Sequence, residues 1–294
     1  MLKMTKNNLF YLGGEFSLLK NSKVVVVPFG FEKSVSYGRG TSRGPAAIIQ
    51  ASHQVEYYDE ELAQETGKKI GIATLEKIKV GKSFSLARKQ IQPIIGKILK
   101  NNKFPLTLGG EHSITPFIIE TIKNFSQKEF SILQFDAHAD LRDGYLGQKY
   151  SHAAAMRRCL DFSDVNLVQI GVRNISTEND ELNFWEKNQN RIKTFWTKDK
   201  KDWKISEIVD MLKENVYLTF DVDALDPSIM PSCGTPEPGG LGWYEVLDIL
   251  RAVAKNKKII GADFVELAPI KNFHAPDFLV AKLIYKILGY IFNK

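Results

Sequence analysis

Two aspartate-rich motifs follow short apolar runs, and they constrain this chain more than any other feature of its sequence. The run at 130–135 (FSILQF) leads into DAHAD at 136–140, and the run at 216–220 (VYLTF) leads into DVD at 221–223. Alternate side chains of a strand share one face, so the acidic residues of each motif can converge. Several buried carboxylates in a small volume are costly unless cations balance them. The motifs therefore predict a site for divalent metal at the ends of two strands.

The predicted ligands comprise four carboxylates and two imidazoles. The segment at 106–113 (LTLGGEHS) reads as a strand end, a glycine turn and a helix start, and it supplies the second imidazole. Two divalent ions would balance the four carboxylates, and mixed oxygen and nitrogen donors suit manganese and its neighbours. The six predicted ligands are His112, Asp136, His138, Asp140, Asp221 and Asp223.

Strand-like apolar runs alternate with helix-like segments along the chain. The runs lie at 24–27, 104–108, 130–135, 167–170, 216–220 and 259–265, with a weaker one beside Gly71. The helical segments lie at 44–49, 83–100, 115–124, 153–160, 205–213, 243–254 and 276–291. Continuous β-branched runs of this kind are typical of parallel sheets that helices cover on both faces. The pattern predicts an α/β fold with its ligands at the carboxyl ends of the strands.

The motifs GGEHS, FDAHADLRD, SH and FDVDALDPS, in that order, resemble those of the ureohydrolase family, which includes arginase and agmatinase. The resemblance runs from about Val24 to about Lys286, and GTPEPGGL at 234–241 and DFVELAP at 263–269 fit it as well. It implies a three-layer α/β/α fold with a central, mainly parallel eight-stranded sheet. It also implies two Mn²⁺ ions per chain and hydrolysis of a guanidino compound by a hydroxide that bridges them.

The resemblance further implies how the ligands divide between the two ions. Asp136 and Asp221 would bridge both ions. The other four ligands would complete one ion each, in the pairs His112 with Asp140 and His138 with Asp223. Spacing alone predicts the six ligands without this division.

Two further residues are predicted to contact the substrate. His152 could protonate the departing amine, because an imidazole titrates near neutral pH; a loop histidine bonded to backbone is the alternative. Glu266 ends the last predicted strand, where a carboxylate could bind a planar guanidinium through two hydrogen bonds; a structural ion pair is the alternative. The resemblance implies the catalytic role for His152 and guanidinium binding for Glu266. The sequence assigns no definite role to Arg142, Asp143, Cys233 or His274.

The loop at 141–151 (LRDGYLGQKYS) bears on the choice of substrate. Arginases carry an Asn/Ser-rich loop here that binds the α-amino acid end of arginine, and this chain lacks it. The chain therefore looks more like an agmatinase, which converts agmatine to putrescine and urea. N1-aminopropylagmatine, arginine and other guanidino acids stay open as substrates, the last because Arg142 could bind a carboxylate. A zinc-dependent amide deacetylase and a catalytically silent scaffold are the alternatives from other classes, and the complete ligand set argues against both.

Composition restricts the class of protein and its partners. The 294 residues, 44 % of them hydrophobic and 25 % charged, read as one domain over 1–294. The net charge of +6 comes from scattered lysines, so no nucleic-acid partner is predicted. No apolar run reaches the roughly 18 residues that span a membrane, residues 1–10 lack a signal-peptide core, and two cysteines make no disulfide framework. We expect a cytoplasmic enzyme without a membrane partner, and the resemblance implies a homo-oligomer, a trimer or a hexamer.

Overall fold

The computed structural model describes residues 2–4, 10–14, 18–126 and 128–293. The strands within these residues are β1 Val24–Phe29, β2 Tyr58–Asp59, β3 Gln64–Glu65, β4 Ile72–Thr74, β5 Phe104–Gly109, β6 Phe130–Phe135, β7 Val165–Ile170, β8 Ile192–Phe195, β9 Asn215–Asp221 and β10 Lys258–Val265. The α-helices are α1 Gly44–Ser52, α2 Thr66–Ile70, α3 Phe84–Lys100, α4 Thr115–Phe125, α5 Ala155–Cys159, α6 Glu181–Lys187, α7 Ile205–Met211, α8 Trp243–Asn256 and α9 Ala275–Phe292.

Eight strands form one parallel sheet in the order β4-β1-β5-β10-β9-β6-β7-β8. The predicted α/β fold with a central eight-stranded sheet is therefore confirmed. The strands β2 and β3, of two residues each, form a separate antiparallel hairpin.

The prediction of one domain over 1–294 stays a prediction. The prediction that no signal peptide is present concerns residues 1–10, of which 1 and 5–9 lie outside the described residues.

Both faces of the sheet are covered, because the central strands are apolar on both sides. In β1 the side chains of Val24 and Val26 enter one core, and those of Val25 and Val27 enter the other. The first core lies against α1, α7, α8 and α9, and the second lies against α3 and α4. This double burial gives the three-layer arrangement and explains why the strands read as continuous rather than alternating runs.

The four central strands β5, β10, β9 and β6 are adjacent, and their carboxyl ends lie together. Three phenyl rings join the last three of these strands just below those ends. Phe220 of β9 stacks on Phe135 of β6, with ring centroids 5.1 Å apart, and on Phe264 of β10, at 5.5 Å. The apolar layer holds the strand ends in a fixed relation to one another.

The elements that were not predicted from sequence are the β2–β3 hairpin, the short helix α2, the edge strand β8 and the helix α6. The edge strand β8 (IKTF) is short, and three of its four side chains are only partly buried, so it forms no apolar run. The helix α6 begins after a residue with a left-handed backbone, Asp180 at φ 62°, and is seven residues long. None of the helices among the described residues combines the length and the apolar composition needed to cross a bilayer.

Candidate active site

The carboxyl ends of three of the four central strands carry all six predicted metal ligands. His112 follows β5, the DAHAD segment follows β6, and the DVD segment begins at the last residue of β9. Glu266 follows β10 directly. The turn between β5 and His112 needs glycine, because a Cβ on Gly110 would lie 2.0 Å from the backbone oxygen of Phe31. Four separate stretches of sequence therefore meet at one point of the sheet.

Two groups of possible ligand atoms share one carboxylate, that of Asp136. The first group is His112, Asp136 and Asp221, and the second is Asp136, His138 and Asp223. Within each group the ligand atoms lie within 4.8 Å of one another. Every residue of both groups is buried except His138, whose side chain is about one quarter exposed.

Asp140 joins the first group, because its Oδ2 lies 3.0 Å from Nδ1 of His112. The structure thus brings together all six residues that the sequence predicted as ligands. Asp140 has a positive φ of 53°, a backbone conformation that is uncommon for residues other than glycine. Such a conformation is often kept at functional sites.

Backbone groups hold one oxygen of each of three carboxylates and leave the second oxygen towards the clusters. Oδ1 of Asp223 accepts from the N–H of Ala137 at 3.0 Å, and Oδ1 of Asp221 accepts from the N–H of Asp223 at 3.0 Å. Oδ1 of Asp136 accepts from the N–H of His138 at 2.7 Å. These bonds orient the carboxylates before any cation binds.

The environment of His112 shows that the residues present fit a metal ion. Its Nδ1 is buried and has no hydrogen-bond partner of acceptable geometry, although carboxylate oxygens of Asp136, Asp140 and Asp221 lie 3.1, 3.0 and 3.6 Å away. A nitrogen lone pair and several carboxylate oxygens that converge without bonding one another are the donor set of a divalent cation. The two clusters can therefore hold metal.

The crowding of charged groups shifts the pKa values of several cluster residues upwards. Burial opposes a charge on His112, but Asp136 and Asp140 outweigh it and raise the pKa of His112 well above its ordinary value. Burial and the charge of Asp136 raise the pKa of Asp140 to about 7. Burial and the charge of Asp223 raise the pKa of Asp221 well above its ordinary value. Metal uptake should therefore release protons.

A buried network fixes the ring of His112. Its Nε2 lies 2.9 Å from Oγ1 of Thr219, whose hydroxyl in turn lies 2.6 Å from Oδ1 of the fully buried Asp263. Tyr217 and Thr115 donate to the second oxygen of Asp263, at 2.8 and 3.0 Å. Because Thr219 donates to Asp263, its oxygen accepts from Nε2–H of His112. That tautomer leaves the lone pair of Nδ1 facing the cluster.

A second chain of hydrogen bonds supports Asp136 from the opposite side. The side-chain amide of Gln134 donates to Oδ2 of Asp136 at 2.7 Å, and the amide of Gln169 donates to Gln134 at 2.7 Å. Thr194 donates to Gln169, and the indole of Trp185 donates to Thr194. The chain runs across β6, β7 and β8, so strands that carry no predicted ligand still position one.

His152 lies in the same cavity and is held by two serines. Oγ of Ser34 lies 3.2 Å from Nδ1 of His152, and Oγ of Ser36 lies 2.8 Å from Nε2. The hydroxyl of Ser34 donates to Oε1 of Glu111 at 2.8 Å. Ser34 therefore accepts from Nδ1–H, and Nε2 keeps its lone pair. Burial, together with His138 and His112, lowers the pKa of His152 to about 4, so the imidazole is neutral near pH 7.

Glu266 lines the cavity together with the cluster residues. Its Oε1 accepts a hydrogen bond from the backbone N–H of His112 at 2.7 Å, and its own N–H donates to the oxygen of Gly110 at 2.7 Å. Its φ of 64° is left-handed. Burial and the charge of Glu111 raise the pKa of Glu266 well above its ordinary value.

The cavity beside these residues has a volume of about 220 Å³ and contains both predicted substrate-contacting residues. Its lining includes residues that had no role assigned from sequence, among them Tyr37, Asn174, Glu181 and Glu237. Glu237 lies in the GTPEPGGL segment, so the motif pointed to it without indicating a task. Glu181 and Asn174 lie in segments that carry no motif, and only the folded chain brings them here.

The structure shows the surroundings of the four residues that have no role assigned from sequence. Arg142 lines the cavity, but its Nε lies 3.6 Å from Oε2 of Glu181. Asp143 accepts from Arg158 at 2.7 Å. The thiol of Cys233 is buried and points to the backbone oxygen of Met230. His274 is exposed and precedes α9.

Comparisons with known proteins agree with this geometry. The model of the Arginase family matches residues 22–289. The chain is 37 % identical over 278 residues to the N(1)-aminopropylagmatine ureohydrolase of Synechocystis sp., covering 92 % of this chain and 89 % of the relative. It is 30 % identical over 275 residues to the agmatinase of Pyrococcus horikoshii, covering 92 % and 93 %.

Two solved structures share the fold of this chain. The agmatine ureohydrolase of Thermoplasma volcanium superimposes with a TM-score of 0.84 at 26 % identity, covering 98 % of this chain and 95 % of that one. Proclavaminate amidino hydrolase of Streptomyces clavuligerus, at 24 % identity, also has a TM-score of 0.84 and shares the fold.

The network below His112 can be tested by Asp263→Asn, which keeps the size of the side chain and removes its charge. We expect the affinity for Mn²⁺ to fall about 10- to 100-fold, because the carboxylate no longer orients the imidazole through Thr219. Equilibrium dialysis measures the affinity. Asp248→Asn, on the exposed side of α8, is the matched control and should bind as the wild type does. Unchanged affinity in Asp263→Asn, with a folded chain, would show that the network is merely structural.

Proposed function

This chain belongs to the arginase family, and we propose that, as a ureohydrolase of guanidino compounds, it acts on agmatine and releases putrescine and urea. The observation that carries the proposal is the pair of ligand clusters that share Asp136 at the floor of a cavity lined by Glu266 and His152. The similarity to relatives named agmatinase supports agmatine as the substrate.

We infer that the clusters hold two Mn²⁺ ions. His112, Asp136, Asp140 and Asp221 surround the first position, and Asp136, His138 and Asp223 surround the second. Divalent ions at such a site lower the pKa of water and so supply hydroxide near neutral pH. The division of ligands between the ions, with Asp136 and Asp221 bridging, remains part of the proposal.

Glu266 and His152 act on the substrate in this proposal. A carboxylate beside the clusters matches the planar donors of a guanidinium, and it holds the guanidinium carbon at the cluster side of the cavity. The guanidinium charge in turn favours the ionised form of Glu266, against the effect of burial. The lone pair on Nε2 of His152, which accepts from the hydroxyl of Ser36, would take up a proton during attack in place of that bond and return the proton to the departing amine.

N1-aminopropylagmatine is the second candidate substrate. The relatives named for it include proteins of Synechocystis sp. and Thermus thermophilus, at 37 % and 36 % identity. The guanidinium end of both substrates is the same, so the residues at the clusters serve either one. The difference between them lies at the outer end of the cavity, which would have to admit the longer chain.

We also infer a cytoplasmic location and a homo-oligomeric assembly. Cys159 and Cys233 are both free and buried, which suits a reducing compartment. The trimer or hexamer implied by the sequence resemblance is the assembly that we propose.

A substrate panel tests the proposed function. Protein loaded with Mn²⁺ is given agmatine, N1-aminopropylagmatine, arginine, guanidinobutyrate and guanidinopropionate, and urea release is followed. We expect agmatine to have a higher kcat/KM than arginine, because the cavity loop lacks partners for an α-carboxylate and an α-ammonium. Equal kcat/KM for arginine would exclude the agmatine assignment. Turnover of the aminopropyl compound alone would select the second candidate.

Metal stoichiometry tests the dinuclear site. We expect about two Mn²⁺ per chain by elemental analysis of dialysed protein, since four carboxylates surround the two positions. His112→Asn should reduce the stoichiometry, whereas His274→Asn, a matched change at an exposed histidine, should leave it unchanged. A single ion in fully active wild-type protein would rule out the dinuclear proposal and favour a one-metal hydrolase.

His152→Asn tests the proton-transfer role. We expect the variant to keep both ions and to lose kcat by about 100-fold or more, the scale of general acid–base catalysis. In the wild type, neutral His152 is the active form, so its protonation should reduce activity only as the pH falls towards 4. Loss of bound metal in the variant would instead identify His152 as a ligand.

A further inference from the structure

We propose that Glu237 selects substrates whose tail ends in an ammonium group, by pairing with that ammonium at the outer wall of the cavity. The inference rests on the proposed function and extends it to the far end of the substrate. It makes this carboxylate a specificity-determining residue, distinct from the groups that act on the guanidinium.

The position of Glu237 fits the tail rather than the guanidinium. Nδ1 of His138 faces the clusters, with Oδ2 of Asp223 at 3.0 Å, and Nε2 lies on the far side of the ring. Oε1 of Glu237 lies 3.9 Å from that Nε2, so the carboxylate stands outside the clusters by the width of an imidazole. Its side chain is 32 % exposed, whereas Glu266 is buried against the clusters.

The carboxylate of Glu237 has no lysine or arginine partner among the described residues. Its Oε1 accepts from the neutral side-chain amide of Asn174 at 2.7 Å. Among the ion pairs of the described residues, Glu237 has none with a lysine or arginine, and its contact with His138 is too long for a hydrogen bond. A partly buried carboxylate with a neutral partner is the group on which an ammonium ligand gains most.

The positive charges near the cavity are already committed. Arg142 is the one lysine or arginine that lines the cavity within the described part of the chain, and it lies beside Glu181. Its guanidinium also lies over the ring of Tyr145, 4.8 Å from the centroid. A substrate with a carboxylate tail would therefore meet the charge of Glu237 without a free cation to offset it.

Arg173 links the loop that carries Glu237 to the segment that carries Asp223. Its Nη2 donates to the backbone oxygens of Glu237 and Asp223, both at 2.7 Å, and its Nε donates to the oxygen of Pro238 at 3.0 Å. One guanidinium thus ties the loop that carries Glu237 to a predicted metal ligand. This link ties the position of the Glu237 loop to that of Asp223, so the carboxylate has a defined place from which to bind the substrate's tail.

The test compares guanidines that differ only in the charge of the tail. Urea release from agmatine, butylguanidine and guanidinobutyrate gives kcat and KM for Mn²⁺-loaded wild type, for Glu237→Gln and for the matched control Glu186→Gln on the exposed side of α6. We expect Glu237→Gln to lower kcat/KM for agmatine about tenfold or more, chiefly through KM, since a charge-assisted hydrogen bond is lost. Butylguanidine should be unaffected, guanidinobutyrate should improve, and Glu186→Gln should match the wild type.

The remaining outcomes each overturn a different statement. An equal loss with agmatine and butylguanidine would mean that Glu237 only positions His138 or its loop, and no loss with either would remove it from recognition altogether. A wild type that prefers guanidinobutyrate to agmatine would overturn the inference while the ureohydrolase activity stands. A wild type that releases no urea from any of the three guanidines, and none from N1-aminopropylagmatine, would overturn the proposed function and this inference with it.

Discussion

The concentration of negative charge at the carboxyl ends of the central strands is the constraint on which the rest of this structure depends. Four aspartates and Glu266 converge where four parallel strands end, and all five are buried. Such a group is stable only when it is compensated, by metal or by the protons that the raised pKa values of His112 and Asp140 describe. The surrounding residues hold the carboxylates in place. Stacked phenyl rings lie below them, and backbone N–H groups bond three of them directly. Buried hydrogen-bond networks support His112 and Asp136 from behind.

The sequence was sufficient to predict the central strands and to single out the candidate ligands that converge at their ends, for a physical reason. Strands buried on both faces must be apolar throughout, so β1, β6 and β9 stand out as continuous runs, and a charged motif at the end of such a run is conspicuous. The family resemblance supplied the sheet size, which the structure confirms. The edge strand β8 and the hairpin of β2 and β3 were not predicted, because most of their side chains are at least partly exposed and form no continuous apolar run.

The supporting residues of the site could not be predicted in the same way. Asp263 lies in a recognised motif, yet its link to His112 passes through Thr219, an unremarkable residue of another strand. Ser34 lies 118 positions from His152, and only the folded chain joins them. The catalytic role of His152 and the binding role of Glu266 stay predictions, although both residues line the cavity. Motifs identify the groups that carry chemistry, whereas their orientation depends on contacts between distant segments.

The placement of the site on the central strands has a consequence for local unfolding. Amide hydrogen exchange through local opening is easiest at sheet edges and hardest in strands that pair on both sides. The strands β5, β10, β9 and β6 each pair with two neighbours, whereas β4 and β8 lie at the edges. The chain can therefore open at its margins and close again without separating the segments that carry the carboxylates. The lifetime of the assembled centre is then set by unfolding of the whole sheet rather than by fraying of its edges.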